Sequence, residues 1–170
     1  LNSLLQGLRG SDLYPIVMIA AGTGMRRGEI LALRWADFDQ ERNTLRVERS
    51  VEETNSKGVR FKAPKNKSSK RTIGIDKGLA GLLQKEWQAA VAAFGKHLSQ
   101  DSLMFPRSPL DQSAPIKPRD VSKGFSVQAK RLGFPTISFH DLRHTHATLL
   151  LSHGVSVNVV AQRLGHSTPV

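Results

Sequence analysis

The chain has 170 residues, the size of one globular domain, and its content of 39% hydrophobic and 23% charged residues excludes a disordered polypeptide. Twenty-five Lys and Arg residues against 14 Asp and Glu give a formal net charge of +11, which predicts a polyanionic partner. The absence of cysteine excludes a disulfide scaffold, a thiolate metal site and a cysteine nucleophile. No apolar run reaches the roughly 20 residues of a membrane span.

The start of the sequence and its aromatic content narrow the class of protein further. The chain begins at Leu1, without an initiator methionine and without a signal peptide before its first structured segment, so we expect a piece of a larger intracellular protein. A basic domain can also bind a membrane surface, but this usually requires a basic amphipathic helix with aromatic anchors. Aromatic residues are only 6% of this chain, so nucleic acid is the favoured polyanion and a membrane is not.

The N-terminal half is predicted to contain helical segments followed by strands. Residues 13–21 form an apolar core segment that ends at Gly22-Thr23-Gly24, and a helix is expected over about residues 26–34. Short strands are predicted at residues 45–48, 59–61 and 71–75. A polar basic turn separates the last two strands, so we expect one small antiparallel sheet with a cationic loop at its tip.

Helices dominate the C-terminal half. Apolar periodicity and terminal glycines predict helices at residues 79–93, 120–132, 138–151 and 155–164. Residues 101–118 are rich in Pro and Ser and are predicted to be a connector. The fold class is therefore α+β, mainly helical, with a small antiparallel β-sheet, in a single domain over residues 1–170.

The glycine-rich segment 22–28 is similar to a dinucleotide-binding fingerprint but does not match it. Its third glycine falls one position late, and no acidic residue ends a second strand where ribose recognition requires one. A tight turn that leads into a helix explains the glycines. It does not explain Arg26 and Arg27 in the first helical turn, where cations are unfavourable unless an anion binds.

The histidine-rich segment 140–144 has two interpretations. His140 and His144 are one helical turn apart, as in a zinc site, but Arg143 on the same face would repel a dication and no third ligand is suitably spaced. Alternatively, His140 and Arg143 together bind one cluster of anionic oxygens. The second interpretation is favoured, so we expect no metal and no other cofactor.

The basic loop between the last two predicted strands also has two interpretations. Such a run is usually a solvated hairpin tip, and its density of positive charge equally allows contact with phosphate. The candidate phosphate contacts are Lys65, Ser68, Lys70 and Arg71.

Together these segments resemble the catalytic domain of the tyrosine recombinases, the phage-integrase family of site-specific DNA recombinases. The four matching boxes lie at residues 23–35, 64–73, 139–144 and 164–168. In the first box the catalytic Arg follows Thr-Gly and one variable residue, which selects Arg26 and not Arg27. Residue by residue, the boxes imply the catalytic residues Arg26, Lys67, His140, Arg143 and His166.

The resemblance implies DNA strand cleavage and rejoining through a 3′-phosphotyrosine intermediate. It implies double-stranded DNA as partner, a homo-oligomer (a tetramer) on recombining sites, a monomer in isolation, and a mobile element such as a prophage in the bacterial cytoplasm, associated with the nucleoid on DNA. The family's nucleophilic tyrosine follows the second histidine box, so we expect it beyond residue 170. Tyr14, the single tyrosine, lies in an apolar segment and is expected in the core. The family's N-terminal DNA-clamping domain is also missing from this sequence.

The family chemistry assigns a role to each implied residue. Arg26 and Arg143 bracket the phosphate and stay charged throughout. His140 and His166 donate hydrogen bonds or move the tyrosine proton, and Lys67 protonates the leaving 5′ oxygen.

Two points stay open at this level. Glu29, one helical turn from Arg26, either orients an arginine or is solvated.

A non-catalytic DNA-binding module, either a helix-turn-helix regulator over residues 140–166 or a decayed recombinase fragment, would also explain the charge. It would not explain why five residues occur in the family's register.

Overall fold

Helices account for most of the regular structure in the computed structural model, which describes residues 1–54, 56, 58–62 and 70–165. The helices are α1 (Asn2–Gly7), α2 (Tyr14–Thr23), α3 (Arg27–Leu31), α4 (Lys77–Phe94), α5 (Pro118–Arg131), α6 (Asp141–Ser152) and α7 (Val157–Leu164). The strands are β1 (Phe38–Asp39), β2 (Thr44–Val47), β3 (Ser50–Thr54), β4 (Gly58–Lys62), β5 (Arg71–Gly74), β6 (Pro106–Ser108) and β7 (Asp111–Pro115). The predicted mainly helical α+β class is confirmed. None of the helices in the described ranges is long and apolar enough to cross a lipid bilayer.

The strands form three small antiparallel sheets, so the prediction of a single sheet is wrong. The first sheet has the order β1-β2-β5, with Leu45 opposite Ile73. β3 and β4 form a separate hairpin, with Val51 opposite Phe61. β6 and β7 pair within the segment that was predicted to be a connector. The predicted strand at 59–61 therefore pairs with β3, whose Glu-rich sequence lacks the apolar alternation that marks a strand.

The helix predictions differ from the structure mainly at the ends. α4 begins two residues before the predicted start, because the Asp76 carboxylate accepts a hydrogen bond from the Leu79 N–H at 3.0 Å and caps the helix. α3 is shorter than predicted, since Arg34 leaves the helix and pairs with Leu103 in an isolated β-bridge. A 3₁₀ turn (Trp35–Asp37) follows it.

One apolar core joins the helices to the three-stranded sheet. Its fully buried side chains include Leu8, Ile16, Ile30, Leu45, Ile73, Leu83 and Phe125. Tyr14 is half-buried and packs against this core, as predicted. Two aromatic pairs belong to this core: Phe125 meets Phe139 edge to face at 5.6 Å, and Trp35 meets the partly buried Trp87 of α4 at 5.1 Å.

Three packing contacts decide where the polar residues meet. α2 packs against α6, α7 packs against α6, and α3 packs against β3. The last contact is unusually close: a Cβ added at Gly28 would lie 2.3 Å from the Val51 carbonyl oxygen and 2.5 Å from Ser50 Oγ. As a result, the connection between α2 and α3 lies beside the first turn of α6.

The close approach of α3 to β3 gives a test of the packing. We expect Gly28→Ala to lower the free energy of unfolding by about 1–3 kcal/mol, because the new methyl group meets backbone that cannot move alone. Gly81→Ala is the matched control, since a Cβ at this position in α4 meets nothing within 4 Å. It is expected to raise the free energy of unfolding by about 0.5–1 kcal/mol. Urea denaturation of both variants measures this, and equal stabilities would contradict the contact.

Candidate active site

A pocket of about 400 Å³ opens between α3, β3, α5 and the start of α6. Arg26, His140 and Arg143 line it, so three of the five residues predicted to be catalytic lie together. The same three residues also border a more apolar cavity of about 540 Å³ between α6 and α7. The other two predicted catalytic residues, Lys67 and His166, lie outside the described residues.

Arg143 is a buried cation held by backbone carbonyls. Its side chain projects from the first turn of α6, where Phe139 and Leu142 are anchored in the core. The residue is 6% exposed, and Nη1 donates to the Gly24 carbonyl at 2.6 Å while Nη2 donates to the Leu164 carbonyl at 2.9 Å. Burial, together with the positive charge of Arg26, lowers the pKa of Arg143 to about 10. The guanidinium therefore stays charged at neutral pH.

Arg26 is held by Glu29 and by the Gly165 carbonyl, and it is more exposed to solvent than Arg143. Its backbone N–H donates to Glu29 Oε2 at 2.8 Å, which fixes the start of α3, and its Nη1 donates to Glu29 Oε1 at 3.0 Å. Nη2 donates to the Gly165 carbonyl at 3.3 Å. The side chain is 43% exposed, so this guanidinium is the part of the pair that a ligand in the pocket meets first.

Glu29 is the buried anion that links two arginines. Besides Arg26, its carboxylate accepts hydrogen bonds from Arg71 at 2.9 and 3.2 Å. Burial alone would raise the pKa of Glu29, but the hydrogen bonds and charges of Arg71 and Arg26 outweigh it and lower the pKa below its ordinary value. The expectation that Glu29 orients an arginine is confirmed, and the solvated alternative is wrong.

Arg71, which was predicted to contact phosphate from an exposed loop, lies at the start of β5 with its side chain turned inward. Its side chain is 7% exposed, and its Nε donates to the Arg163 carbonyl at 2.6 Å while its other nitrogens face Glu29. The preceding residue, Lys70, is exposed. In the structure a buried ion pair with Glu29 holds Arg71 inward, and its contact with phosphate stays a prediction. Lys65 and Ser68 lie outside the described residues.

The end of α7 is the common acceptor of these arginines. Three consecutive carbonyls, those of Arg163, Leu164 and Gly165, accept hydrogen bonds from Arg71, Arg143 and Arg26 in that order. A helix leaves its last carbonyls without intrahelical partners and carries partial negative charge there, so cations are favoured. Gly165 has φ of +71°, and a Cβ there would lie 2.7 Å from Arg71 Nη1, so glycine suits both the turn and the contact.

A second network, which sequence reasoning missed, fastens α7 to α2 and α6. His146 is buried, and its Nδ1 lies 2.8 Å from the Ala21 carbonyl, while Arg163 Nε donates to its Nε2 at 3.1 Å. Because a carbonyl only accepts and a guanidinium only donates, His146 carries its proton on Nδ1 and is neutral. Burial lowers its pKa accordingly. Arg163 also donates to the Gly22 and Gly74 carbonyls. A sequence motif contains no signal for such backbone acceptors.

His140 lies at the edge of the pocket beside a second imidazole. The rings of His140 and His144 are 4.7 Å apart and nearly perpendicular. Partial burial, with the nearby charges of His144 and Arg143, lowers the pKa of His140, so the neutral ring that can accept a proton is favoured at pH 7. Across residues 1–54, 56, 58–62 and 70–165, no three His, Cys, Asp or Glu side chains are arranged to hold a metal ion.

Comparison with known sequences identifies the family. Residues 4–169 match the sequence model of the phage integrase family. The chain belongs to this family. The integrase chain is 31% identical over 181 aligned residues to a tyrosine recombinase XerC-like protein of Caldanaerobacter subterraneus subsp. tengcongensis, over 98% of the chain and 46% of the relative. It is 31% identical to the ICEBs1 integrase of Bacillus subtilis, over 88% of the chain and 40% of that relative. The chain thus spans less than half the length of these relatives.

Solved structures share the integrase fold. The Tn1549 transposon integrase, solved in complex with transposon right end DNA, superposes with a TM-score of 0.82 at 22% identity, over 98% of this chain and 56% of that one. The XerA recombinase superposes with a TM-score of 0.76 at 20% identity, over 98% of this chain and 52% of that one. The fold that the resemblance implied, that of a tyrosine recombinase catalytic domain, is confirmed.

The buried Glu29 predicts a specific dependence of stability on pH. Glu29→Gln removes the buried carboxylate that pairs with Arg71 and Arg26, so the free energy of unfolding at pH 7 is expected to fall by about 3–5 kcal/mol. The pKa of Glu29 is lower in the folded state, so its contribution is present above about pH 4.3 and is lost as the pH falls below that value. The difference between wild type and variant should therefore shrink on acidification.

Urea denaturation at pH 7 and at pH 3 measures this difference. Glu52→Gln is the control, because Glu52 pairs with Arg60 and Lys62 on the surface of the β3–β4 hairpin and its loss should change stability little. A difference between wild type and Glu29→Gln that is constant with pH would contradict the assignment.

Proposed function

We propose that residues 1–170 are the catalytic domain of a site-specific DNA recombinase, which cleaves and rejoins strands through a 3′-phosphotyrosine intermediate. One observation carries this proposal: Arg26 and Arg143, from different elements, line one pocket with His140 and are fixed by protein acceptors. A phosphodiester is the ligand that two fixed guanidiniums recognise, since their planar forks match its oxygens.

Strand exchange without loss of bond energy explains the need for these residues. A tyrosine oxygen attacks the phosphorus and the 5′ oxygen leaves, so a phosphodiester is replaced by a protein phosphoester that can be reversed. Negative charge grows on the two non-bridging oxygens during both steps. Guanidiniums fixed before the substrate arrives stabilise this charge without reorganising. Burial of Arg143 strengthens the effect, because charges interact more strongly away from water.

The remaining roles concern protons. His140 accepts the tyrosine proton or donates a hydrogen bond to a non-bridging oxygen, which its lowered pKa permits near neutral pH. Lys67 protonates the leaving 5′ oxygen and His166 assists at the phosphate, both by their place in the family's boxes. Tyr14 is half-buried against the core and does not line the pocket, so the nucleophile is expected beyond residue 170.

The partner in this proposal is double-stranded DNA. The formal charge of +11 supports it, and so does the likeness to a Tn1549 integrase solved with transposon DNA and to a lambda integrase dimer bound to a core site. Lys65, Ser68 and Lys70 are proposed to contact DNA phosphates. We propose a monomer in isolation and a tetramer on recombining sites. The place of action is then the bacterial cytoplasm, at the DNA of a mobile element.

Binding by the isolated chain tests the partner. Most affinity should come from phosphate contacts, so the logarithm of the binding constant should fall with the logarithm of salt concentration by about 0.9 per phosphate neutralised. Fluorescence anisotropy with labelled duplexes of two unrelated sequences measures the slope, and similar affinities are expected for both. Binding that does not respond to salt would contradict a phosphate-based interface.

Substitution of the arginines tests the catalytic role in the full-length protein that contains this chain. Arg26→Lys and Arg143→Lys each keep the charge and lose the planar fork, so cleavage should fall by about 10²-fold or more while DNA binding stays nearly intact. Nicked suicide DNA traps the covalent protein–DNA product, which is counted on a denaturing gel. Arg42→Lys is the control, since Arg42 is exposed and pairs with Asp39 on the β1–β2 turn.

The outcomes of this experiment separate the candidate functions. If both lysine variants cleave DNA at the wild-type rate, the proposal that Arg26 and Arg143 bind the reacting phosphate is wrong. Because Arg143 is buried, its variant is compared with wild type by thermal unfolding, and Arg26→Lys decides the question if Arg143→Lys unfolds. DNA binding without any covalent product from the wild-type full-length protein, on its true target site, would favour the non-catalytic DNA-binding module.

A further inference from the structure

A polar stripe on α5 extends the pocket beyond Arg26, His140 and Arg143. Arg119, Ser122 and Ser126 are spaced three and four residues apart, which places them on one face of the helix. Ser122 and Ser126 line the same pocket as Arg26 and His140. The stripe therefore starts at the proposed position of the cleaved phosphate and runs away from it.

The side chain of Arg27 contacts this stripe and does not lie with that of Arg26. It follows Arg26 directly, yet its guanidinium crosses to α5 and donates to Ser122 Oγ. The side chain is half-buried in the pocket wall, beside Ser50 of β3. Burial lowers the pKa of Arg27, and the charge of Glu53 only partly compensates. A half-buried cation whose contact is a neutral hydroxyl is well suited to an anion in the pocket.

The other end of the stripe opens into a second basic cavity. This cavity, of about 570 Å³, lies between the β3–β4 and β6–β7 hairpins and is lined by Arg107, Lys117 and Arg119. Glu53 lies in the same wall and accepts a hydrogen bond from the Arg119 backbone N–H at 3.0 Å, with Arg119 Nε 3.8 Å from its carboxylate. Among the described residues, three cations and one carboxylate line this cavity, and the Arg119 side chain is 65% exposed.

The dimensions of the stripe match one DNA strand. From Ser126 to Arg119 the helix rises about 10 Å, at 1.5 Å per residue. One strand of duplex DNA carries a phosphate every 3.4 Å along the duplex axis. Because the strand also winds around that axis, successive phosphates are farther apart in space, and this length spans about two of them. Arginines and hydroxyls in a row are donors for phosphate oxygens and do not read base edges.

We propose that Arg27 with Ser122 binds a phosphate next to the cleaved one, and that Arg119 binds a phosphate farther along the same strand. This inference rests on the proposed function, because it requires DNA in the pocket. On one side of the cleavage point, the DNA strand would then bind along this face of α5, which is the proposed track. The two adjacent arginines then have different duties: Arg26 acts on the reacting phosphate and Arg27 positions the strand.

The first test uses the salt dependence of DNA binding by the 170-residue chain. Arg27→Gln and Arg119→Gln should each reduce the slope of the salt dependence by about 0.9, the value for one phosphate contact. Ser122→Ala should weaken binding about threefold, as expected for one hydrogen bond. Arg42→Gln is the control and should leave slope and affinity unchanged. Circular dichroism checks the fold of each variant, and the exposed Arg119 keeps the test decisive if Arg27→Gln unfolds.

The second test locates the phosphates in the full-length protein. Suicide DNA carries a neutral methylphosphonate at one linkage at a time, over three linkages on each side of the cleavage point. A neutral linkage should slow trapping by wild type but cause no further loss in the variant that lacks its partner. Arg27→Gln should couple to a linkage next to the cleaved phosphate, and Arg119→Gln to one farther away on the same side.

Three results have distinct meanings. Couplings on opposite sides of the cleavage point, or none at any linkage, would overturn the proposed track. A normal salt slope for wild type that is unchanged in Arg27→Gln and Arg119→Gln would also overturn it, while leaving the proposed function standing. Loss of salt dependence in wild type itself would instead remove the proposed function, and the track with it.

Discussion

Three guanidiniums donate to three consecutive carbonyls, the last two of α7 and that of Gly165, which caps it, and the rest of the structure depends on this interaction. The carbonyls lack intrahelical partners and accept from the guanidiniums, and two of these cations, those of Arg71 and Arg143, are buried and require acceptors. The arginines come from β5, α6 and the connection between α2 and α3. Glu29 joins two of them and offsets part of their mutual repulsion. The connection between α2 and α3, β5, α6 and the end of α7 are thereby joined around the pocket.

The same contacts that join these elements prepare the pocket for chemistry. Arg26 and Arg143 are at once structural ligands of α7 and the proposed ligands of phosphate, so their positions are fixed before DNA arrives. Arg163 and the neutral His146 hold α7 from its other side, against α2, β5 and α6. Stability and the proposed activity therefore depend on the same contacts. A substitution that relaxes the end of α7 alters the pocket even if it touches none of the proposed catalytic groups.

The sequence predicted the parts of the site that follow from local spacing. Helical spacing placed His140 and Arg143 on one turn, and periodicity located α4 and α5 to within two residues. The choice of Arg26 over Arg27 came from the resemblance to the family's first box and stays a prediction. Sequence reasoning missed β3, whose glutamates lack apolar alternation, and the inward direction of Arg71, whose partners lie 42 and 92 residues away. The backbone carbonyls that hold the arginines leave no mark on side-chain pattern. Lys65, Lys67, Ser68 and His166 stay predictions from motif alone.

The paired indoles of Trp35 and Trp87 have a consequence for spectroscopy. They are the two tryptophans of the chain, and their rings lie 5.1 Å apart at an angle of 60°. Both indoles therefore report on one place in the fold, and the tryptophan emission of the chain comes from that site. That site is the contact between α4 and the turn after α3, and neither ring lines the pocket. Tryptophan fluorescence of this chain therefore reports on the packing of α4. To measure binding in the pocket, a fluorescent label has to be placed elsewhere.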